Sequence, residues 1–154
     1  MSRPSEQIEF RFDDWSDVLG RLEAMAASGR GWVNLRPEVE DDDIAAPRSK
    51  VAGLFSGAGH PVPMATWVAA TAKDPASVGV QHGVAAKVVP RLREHGVGLP
   101  SGASVVQDHS RRGLVVRLVD ETPADVVLAW MMEAVDELCP VQLTGAWRAD
   151  IHHG

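Results

Sequence analysis

The segment from residue 105 to residue 118, VVQDHSRRGLVVRL, places an acid, an imidazole, a hydroxyl and two guanidiniums between two valine-rich runs. Asp108, His109 and Ser110 have the residue types of a Ser-His-Asp triad. Neighbours on an extended chain point to opposite faces, however, whereas a triad needs its three side chains aligned in one row of hydrogen bonds. The G-x-S-x-G turn that exposes a nucleophilic serine is also absent from the sequence. The pattern therefore argues against a serine hydrolase.

Arg111 and Arg112 give this segment a second chemical interpretation. A guanidinium binds a carboxylate or a phosphate through two parallel hydrogen bonds, and His109 could add a donor whose charge depends on pH. The alternative is that both arginines are solvated residues of a hairpin turn, because exposed charges are common in globular proteins. The positions of Asp108 and Gly113 at the two ends of the loop favour the turn, with the anion clamp as the alternative.

The segment VGVQHG, residues 78–83, is a second candidate site. Glycines on both sides of Gln81 and His82 would let a ligand approach the backbone, and a helix starting near Val84 would point its N-terminus at an anion. The spacing matches neither the dinucleotide-binding motif nor the phosphate-binding loop of nucleotide hydrolases. A lone histidine is more often a structural residue, which remains the simpler interpretation of His82.

The other histidines do not predict a metal site. His152 and His153 are adjacent near Asp150, and no H-x-x-x-H or H-E-x-x-H spacing occurs. The single cysteine excludes a cysteine-based zinc cluster and an intramolecular disulfide. The sequence thus predicts neither a metal nor a cofactor.

Length and charge restrict the class of protein. The chain has 154 residues, of which 45% are hydrophobic, and this fits a single domain over 1–154. Its net charge of −6 would repel a phosphate backbone, so nucleic acid is not an expected partner. The sequence has no signal-peptide pattern and no run of about 20 apolar residues, so we expect a cytoplasmic protein without membrane association.

The hydrophobic pattern predicts nine elements in the order β-α-β-β-α-β-β-α-β. Alternation at 7–12 and apolar or β-rich runs elsewhere predict strands at 7–12, 31–37, 63–71, 103–108, 113–119 and 142–151. Helical spacing predicts helices at 13–29 and 122–138. A third helix lies between 74 and 96, and Pro90 either kinks it or marks its start.

Two segments are predicted to be irregular. Residues 38–62 form a long loop that could be mobile and could contain a helical turn at 51–55, and residues 151–154 form a short flexible tail. The elements together indicate an α+β domain in which about three helices pack on a mixed, largely antiparallel sheet.

Three segments carry a resemblance to other proteins. VGVQHG, VVQDHSRRGLVVR and CPVQLTGAWRA resemble segments of small uncharacterised proteins from high-GC, actinobacterium-like bacteria, over roughly residues 60–150. The resemblance implies no activity. It favours one cluster, which would contain His82, His109, Arg111, Arg112 and Arg148.

Two hypotheses of function follow from the sequence. The first is a non-enzymatic association protein, a homodimer formed through an apolar helix or sheet surface. The alternative is a protein that binds, or acts on, a small anionic ligand in one cleft. The residues of that cleft would be Gln81, His82, His109, Arg111, Arg112 and Arg148.

Overall fold

The computed structural model describes residues 3–40 and 62–154, in which seven strands and three helices occur. The strands are β1 (Glu6–Arg11), β2 (Trp32–Val39), β3 (Met64–Val68), β4 (Ser77–Gln81), β5 (Ser104–His109), β6 (Gly113–Arg117) and β7 (Leu143–His152). The helices are α1 (Ser16–Ser28), α2 (Val89–Glu94) and α3 (Ala124–Leu138). None of these helices is long and apolar enough to span a bilayer.

The seven strands form one sheet in the order β1-β7-β2-β3-β4-β6-β5. Every neighbouring pair among the described strands is antiparallel. The predicted α+β class is confirmed, and the sheet is antiparallel in the described part rather than mixed. The last described strand, β7, lies between β1 and β2. The first and last strands, β1 and β7, are therefore hydrogen-bonded neighbours.

The strand β4 is the main difference from the predicted element order. Its segment was interpreted as a loop before a helix, but Val78 and Val80 are buried while Gly79 between them is not. This two-residue period is that of a strand with one covered face. The helix that follows is limited to α2, and Pro90 lies in its first turn, where a missing N–H breaks no helical hydrogen bond. Pro90 therefore marks the start of the helix.

The three helices cover one face of the sheet, which we call the covered face. Helix α3 lies against β2, β3 and β4, and α1 packs beside it and against β1. The apolar side chains of the covered face and of the helices form one core, with Leu35, Val80, Leu114, Met131 and Ile151 among its most buried members. The alternating residues of the strands lie on the opposite side, the open face, where side chains such as Glu9, Arg36, Thr66, Gln81 and Arg148 are exposed or half-buried.

The two segments that were predicted to be irregular have different outcomes. Strand β2 extends to Val39, and most of the 38–62 segment, including the helical turn expected at 51–55, lies outside the described residues. The predicted tail is wrong for residues 151 and 152, because both belong to β7. Ile151 is fully buried and pairs with Val33, and His152 stacks on Trp32 with a ring-centroid distance of 4.6 Å.

Candidate functional site

The strands β5 and β6 form the predicted hairpin, with residues 110–112 as its turn. His109 and Gly113 are the last paired residues on either side of that turn. Gly113 has a φ of 86°, and a Cβ at this position would lie 2.5 Å from the carbonyl oxygen of Val80 on the neighbouring strand. Both the backbone conformation and the close approach of β4 therefore require glycine here.

The polar groups of the turn are satisfied by the side chains that flank it. His109 Nδ1 accepts hydrogen bonds from the backbone N–H groups of Arg111 and Arg112, at 3.0 and 3.1 Å. The side-chain amide of Gln107 donates to the carbonyl oxygens of Arg112 and Gly113. The backbone donors that an anion clamp would use are thus engaged by His109, which stabilises the turn.

Asp108 binds the N-terminus of α2. Its two carboxylate oxygens accept hydrogen bonds from the backbone N–H groups of Val88 and Val89, at 2.9 and 3.0 Å. The first N–H groups of a helix have no partner within the helix, and the helix dipole favours a negative charge beside them. The sequence offered, as one alternative, a ligand anion at a helix starting near Val84, whereas the helix starts at Val89 and the anion at its N-terminus is the carboxylate of the protein's own Asp108.

His82 is an interior residue, with 1% of its surface exposed. Its Nδ1 accepts a hydrogen bond from the backbone N–H of Val84, at 3.2 Å. Its Nε2 has no hydrogen-bond partner among the described residues. Burial lowers the pKa of His82, and the negative charge of Asp108 opposes this shift only in part. The side chain is therefore neutral near pH 7 and belongs to the fold rather than to an accessible site.

The structure does not assemble the six predicted site residues in one cleft. The exposed Gln81 lies beside the hairpin turn, since its Cα is 3.4 Å from the point that a Cβ on Gly113 would occupy. His109, Arg111 and Arg112 belong to the same end of the hairpin, and His82 is buried next to Gln81. Arg148 is on β7, which is separated from β4 by β2 and β3, a distance of about 14 Å at the usual strand spacing.

Arg148 belongs to a second group of polar residues on the open face. It lies directly opposite Arg36 on β2, and both arginines face the carboxylate of Asp150. Arg148 Nε is 3.6 Å from Asp150 Oδ1, and Arg36 Nη2 is 3.8 Å from Asp150 Oδ2. Gln7 adds a hydrogen bond of 3.1 Å to Oδ1. The Asp150 side chain is only 8% exposed, whereas the side chains of Arg36 and Arg148 are 50% and 44% exposed.

The opposition of Arg36 and Arg148 is energetically unusual. Like charges directly opposite each other on neighbouring strands destabilise a sheet, and here Asp150 offsets that repulsion. Sequence reasoning named Arg148 and missed Arg36 and Asp150. Alternation along 31–37 is a signal that would place Arg36 on the polar side of a strand, but its partner depends on strand order, which the sequence does not contain.

A groove of about 540 Å³ lies on the same part of the sheet and is lined by residues of β1, β7 and β2. Its charged lining consists of three arginines and two glutamates, namely Arg11, Arg36, Arg148, Glu9 and Glu38. Its apolar lining consists of Phe10, Pro37, Ala146 and Trp147. The described residues contain no group of three or more histidine, cysteine, aspartate or glutamate side chains placed to bind a metal.

The edge of the sheet formed by β5 is apolar over its first half. Val105 and Val106 are 41% and 54% exposed. Val106 is the extra residue of a β-bulge, because Val105 and Gln107 pair with the consecutive residues Val116 and Val115 of β6. β5 pairs with β6 alone among the described strands, so its outer edge presents unpaired backbone groups together with exposed valines.

Comparison of the chain with protein-family models, with curated proteins and with solved structures gave no match. The assignment of function therefore depends on the chemistry of the exposed surfaces.

Proposed function

We propose that this domain works by association, as a homodimer in which the β5 edges of two copies pair. The observation that carries the proposal is the composition of that edge. Its first four residues, Ser104–Gln107, are uncharged, and two of them are exposed valines. An exposed apolar edge strand is a template for pairing with another chain.

The other edge of the sheet supports this choice by contrast. Three of the six residues of β1 are charged, namely Glu6, Glu9 and Arg11. Charged side chains on an edge strand oppose pairing with a further strand, because pairing would remove them from water or bring them against the charges of the partner. β5 has no such protection over its first half, although its bulge limits the length of strand that a partner can pair with.

The β5 edge is also compatible with pairing to itself. In a two-fold antiparallel arrangement centred on Val106, this residue lies opposite Val106 of the second copy. Asp108 then lies opposite Ser104, so no like charges meet along the paired segment. Val119 extends the apolar surface, because its side chain lies against Gly102, just before the start of β5.

Sedimentation equilibrium of the protein and of two lysine variants tests the proposal. Val106→Lys places a charge in the centre of the β5 edge, and we expect it to convert a dimer into a monomer. Phe12→Lys is the matched control, because Phe12 is equally exposed, at 52%, but follows the opposite edge strand. We expect this variant to remain dimeric.

Hydrogen exchange gives a second measurement on the unaltered protein. The amides of β5 that point away from β6 should exchange more slowly as protein concentration rises, because the partner strand protects them. A protein that is monomeric at all concentrations, or a dimer that Phe12→Lys dissociates and Val106→Lys does not, would contradict the proposal.

A further inference from the structure

The groove on the open face contains two charged side chains, those of Glu9 and Arg11, that form no ion pair among the described residues. Glu9 is the direct cross-strand neighbour of Arg148, yet Arg148 is directed to Asp150 and makes no ion pair with Glu9. Arg11 lies across Gly145, whose missing side chain leaves room for the guanidinium, and it forms no ion pair among the described residues either. The groove therefore presents both a cationic and an anionic group that can accept a partner.

The two half-exposed guanidiniums form the cationic end of the site. Arg36 and Arg148 are held side by side because both face the buried carboxylate of Asp150. Their distances to Asp150, 3.8 and 3.6 Å, are longer than those of a charge-assisted hydrogen bond, so donors on each guanidinium remain available. A pair of arginines held in this way can bind one carboxylate, whose charge would relieve their mutual repulsion.

The remaining lining restricts the class of anion. Glu9 and Glu38 would repel a dianion such as phosphate, but Glu9 would attract an ammonium group. Side chains directly opposite on neighbouring strands are about 5 Å apart at their Cβ atoms, which suits a ligand whose opposite charges are separated by few bonds. Phe10 and Trp147 reach the groove only at its floor, because these residues are 8% and 3% exposed and belong to the core on the covered face, so the charged groups are the groove's recognition elements.

We propose that this groove binds a small zwitterion, an α-amino acid. Its carboxylate would lie on Arg36 and Arg148, and its ammonium group would lie at Glu9. The volume of about 540 Å³ is within the range of small-molecule sites and exceeds what such a ligand needs. This site is independent of the β5 edge, which is at the other end of the sheet.

An NMR titration of the uniformly ¹⁵N-labelled protein tests the proposal, with resonances of the backbone and of the arginine Nε groups as readout. The probes are L-leucine, N-acetyl-L-leucine, L-leucinamide and inorganic phosphate. We expect L-leucine to bind with shifts at Arg36 and Arg148, and each of the other probes to bind at least ~10-fold more weakly, a loss of about 1.4 kcal/mol.

Three variants assign the roles of the charged residues. Arg148→Gln should weaken L-leucine binding at least ~10-fold, the equivalent of about 1.4 kcal/mol. Glu9→Gln lies on an edge strand and leaves the arginines in place, so it keeps the test valid if Arg148→Gln fails to fold. This variant should weaken L-leucine binding and leave N-acetyl-L-leucine binding unchanged. Arg117→Gln is the control, since Arg117 is an exposed arginine of the open face on the distant strand β6.

Specific outcomes would overturn the proposal. One is the absence of shifts in the groove at about 10 mM L-leucine, ten times a weak dissociation constant of ~1 mM. A second is tighter binding of phosphate than of L-leucine, which would contradict the zwitterion. A third is equal binding of L-leucine by the parent protein and by the Arg148→Gln and Glu9→Gln variants.

Discussion

Replacement of Asp108 by alanine is the sharpest test of how the hairpin and α2 are held together. Asp108 is the acceptor for two backbone N–H groups, those of Val88 and Val89, whose residues are 0% and 7% exposed. The alanine variant leaves both donors without a partner at the end of a helix of only six residues. Because the two residues are buried, water can replace the carboxylate only if the helix start moves outward.

The expected magnitude follows from these contacts. Removal of a helix-capping side chain costs about 0.5–2 kcal/mol, and a hydrogen bond to a charged group contributes about 1.5–3 kcal/mol. With two such bonds to a half-buried carboxylate, we expect Asp108→Ala to lower the free energy of unfolding by about 2–3 kcal/mol. For a chain of this length the melting temperature should then fall by roughly 4–12 °C. Asp108→Asn keeps one acceptor oxygen, so its loss should be smaller, about 1 kcal/mol.

Urea unfolding followed by tryptophan fluorescence measures these changes. Asp120→Ala is the control, because Asp120 is exposed and its side chain makes no hydrogen bond within the described part of the chain. A loss below about 0.5 kcal/mol for Asp108→Ala, the usual size of a surface substitution, would refute the capping role. Equal losses for Asp108→Ala and Asp120→Ala would refute it as well.

Two further predictions concern His82 and Gly113. Because burial lowers the pKa of His82 below its ordinary value of 6.5, the stability that neutral His82 confers is complete above pH 6.5 and decreases as the pH falls below it, where the unfolded chain binds a proton more readily. The free energy of unfolding, measured by urea titration at several pH values between 8 and 5, should fall less steeply with decreasing pH for His82→Asn than for the parent protein. An identical pH dependence of the two proteins would count against the burial effect. Gly113→Ala should destabilise the protein by about 1–3 kcal/mol, because of its positive φ and the contact with the Val80 carbonyl, whereas Gly98→Ala, with nothing within 4 Å, should have little effect in the same urea assay. Similar losses for the two alanine variants would mean that the backbone at Gly113 relaxes freely.

Local pattern was sufficient to predict most of the secondary structure. The alternation of Ile8 and Phe10 with polar residues predicted β1, and the apolar spacing of 122–138 predicted α3, because side-chain period depends only on the local backbone. The segment around β4 was misassigned because Gly79 and the short apolar run resemble a loop before a helix. In the structure the hydrogen bonds to β3 and β6 on either side make it a strand.

The candidate sites depended on information that a single sequence does not carry. The hairpin turn was predictable because Asp108 and Gly113 are close in sequence, but the contact of Asp108 with Val88 joins residues twenty positions apart. The opposition of Arg36 and Arg148 arises only because β7 is inserted between β1 and β2. Strand order is set by how the whole core packs, and no local pattern encodes it.

The sequence by itself determined the class of the fold, the elements with strong periodicity, the hairpin and the acidic charge of the surface. These properties follow from composition and from interactions between residues near each other in the chain. The tertiary structure decided that His82 is interior, that Asp108 caps a helix, and that Arg148 faces Arg36 and Asp150 rather than the hairpin turn. Each of these results depends on which distant segments pack together, because burial and electrostatic environment are properties of the folded neighbourhood and not of the residue alone.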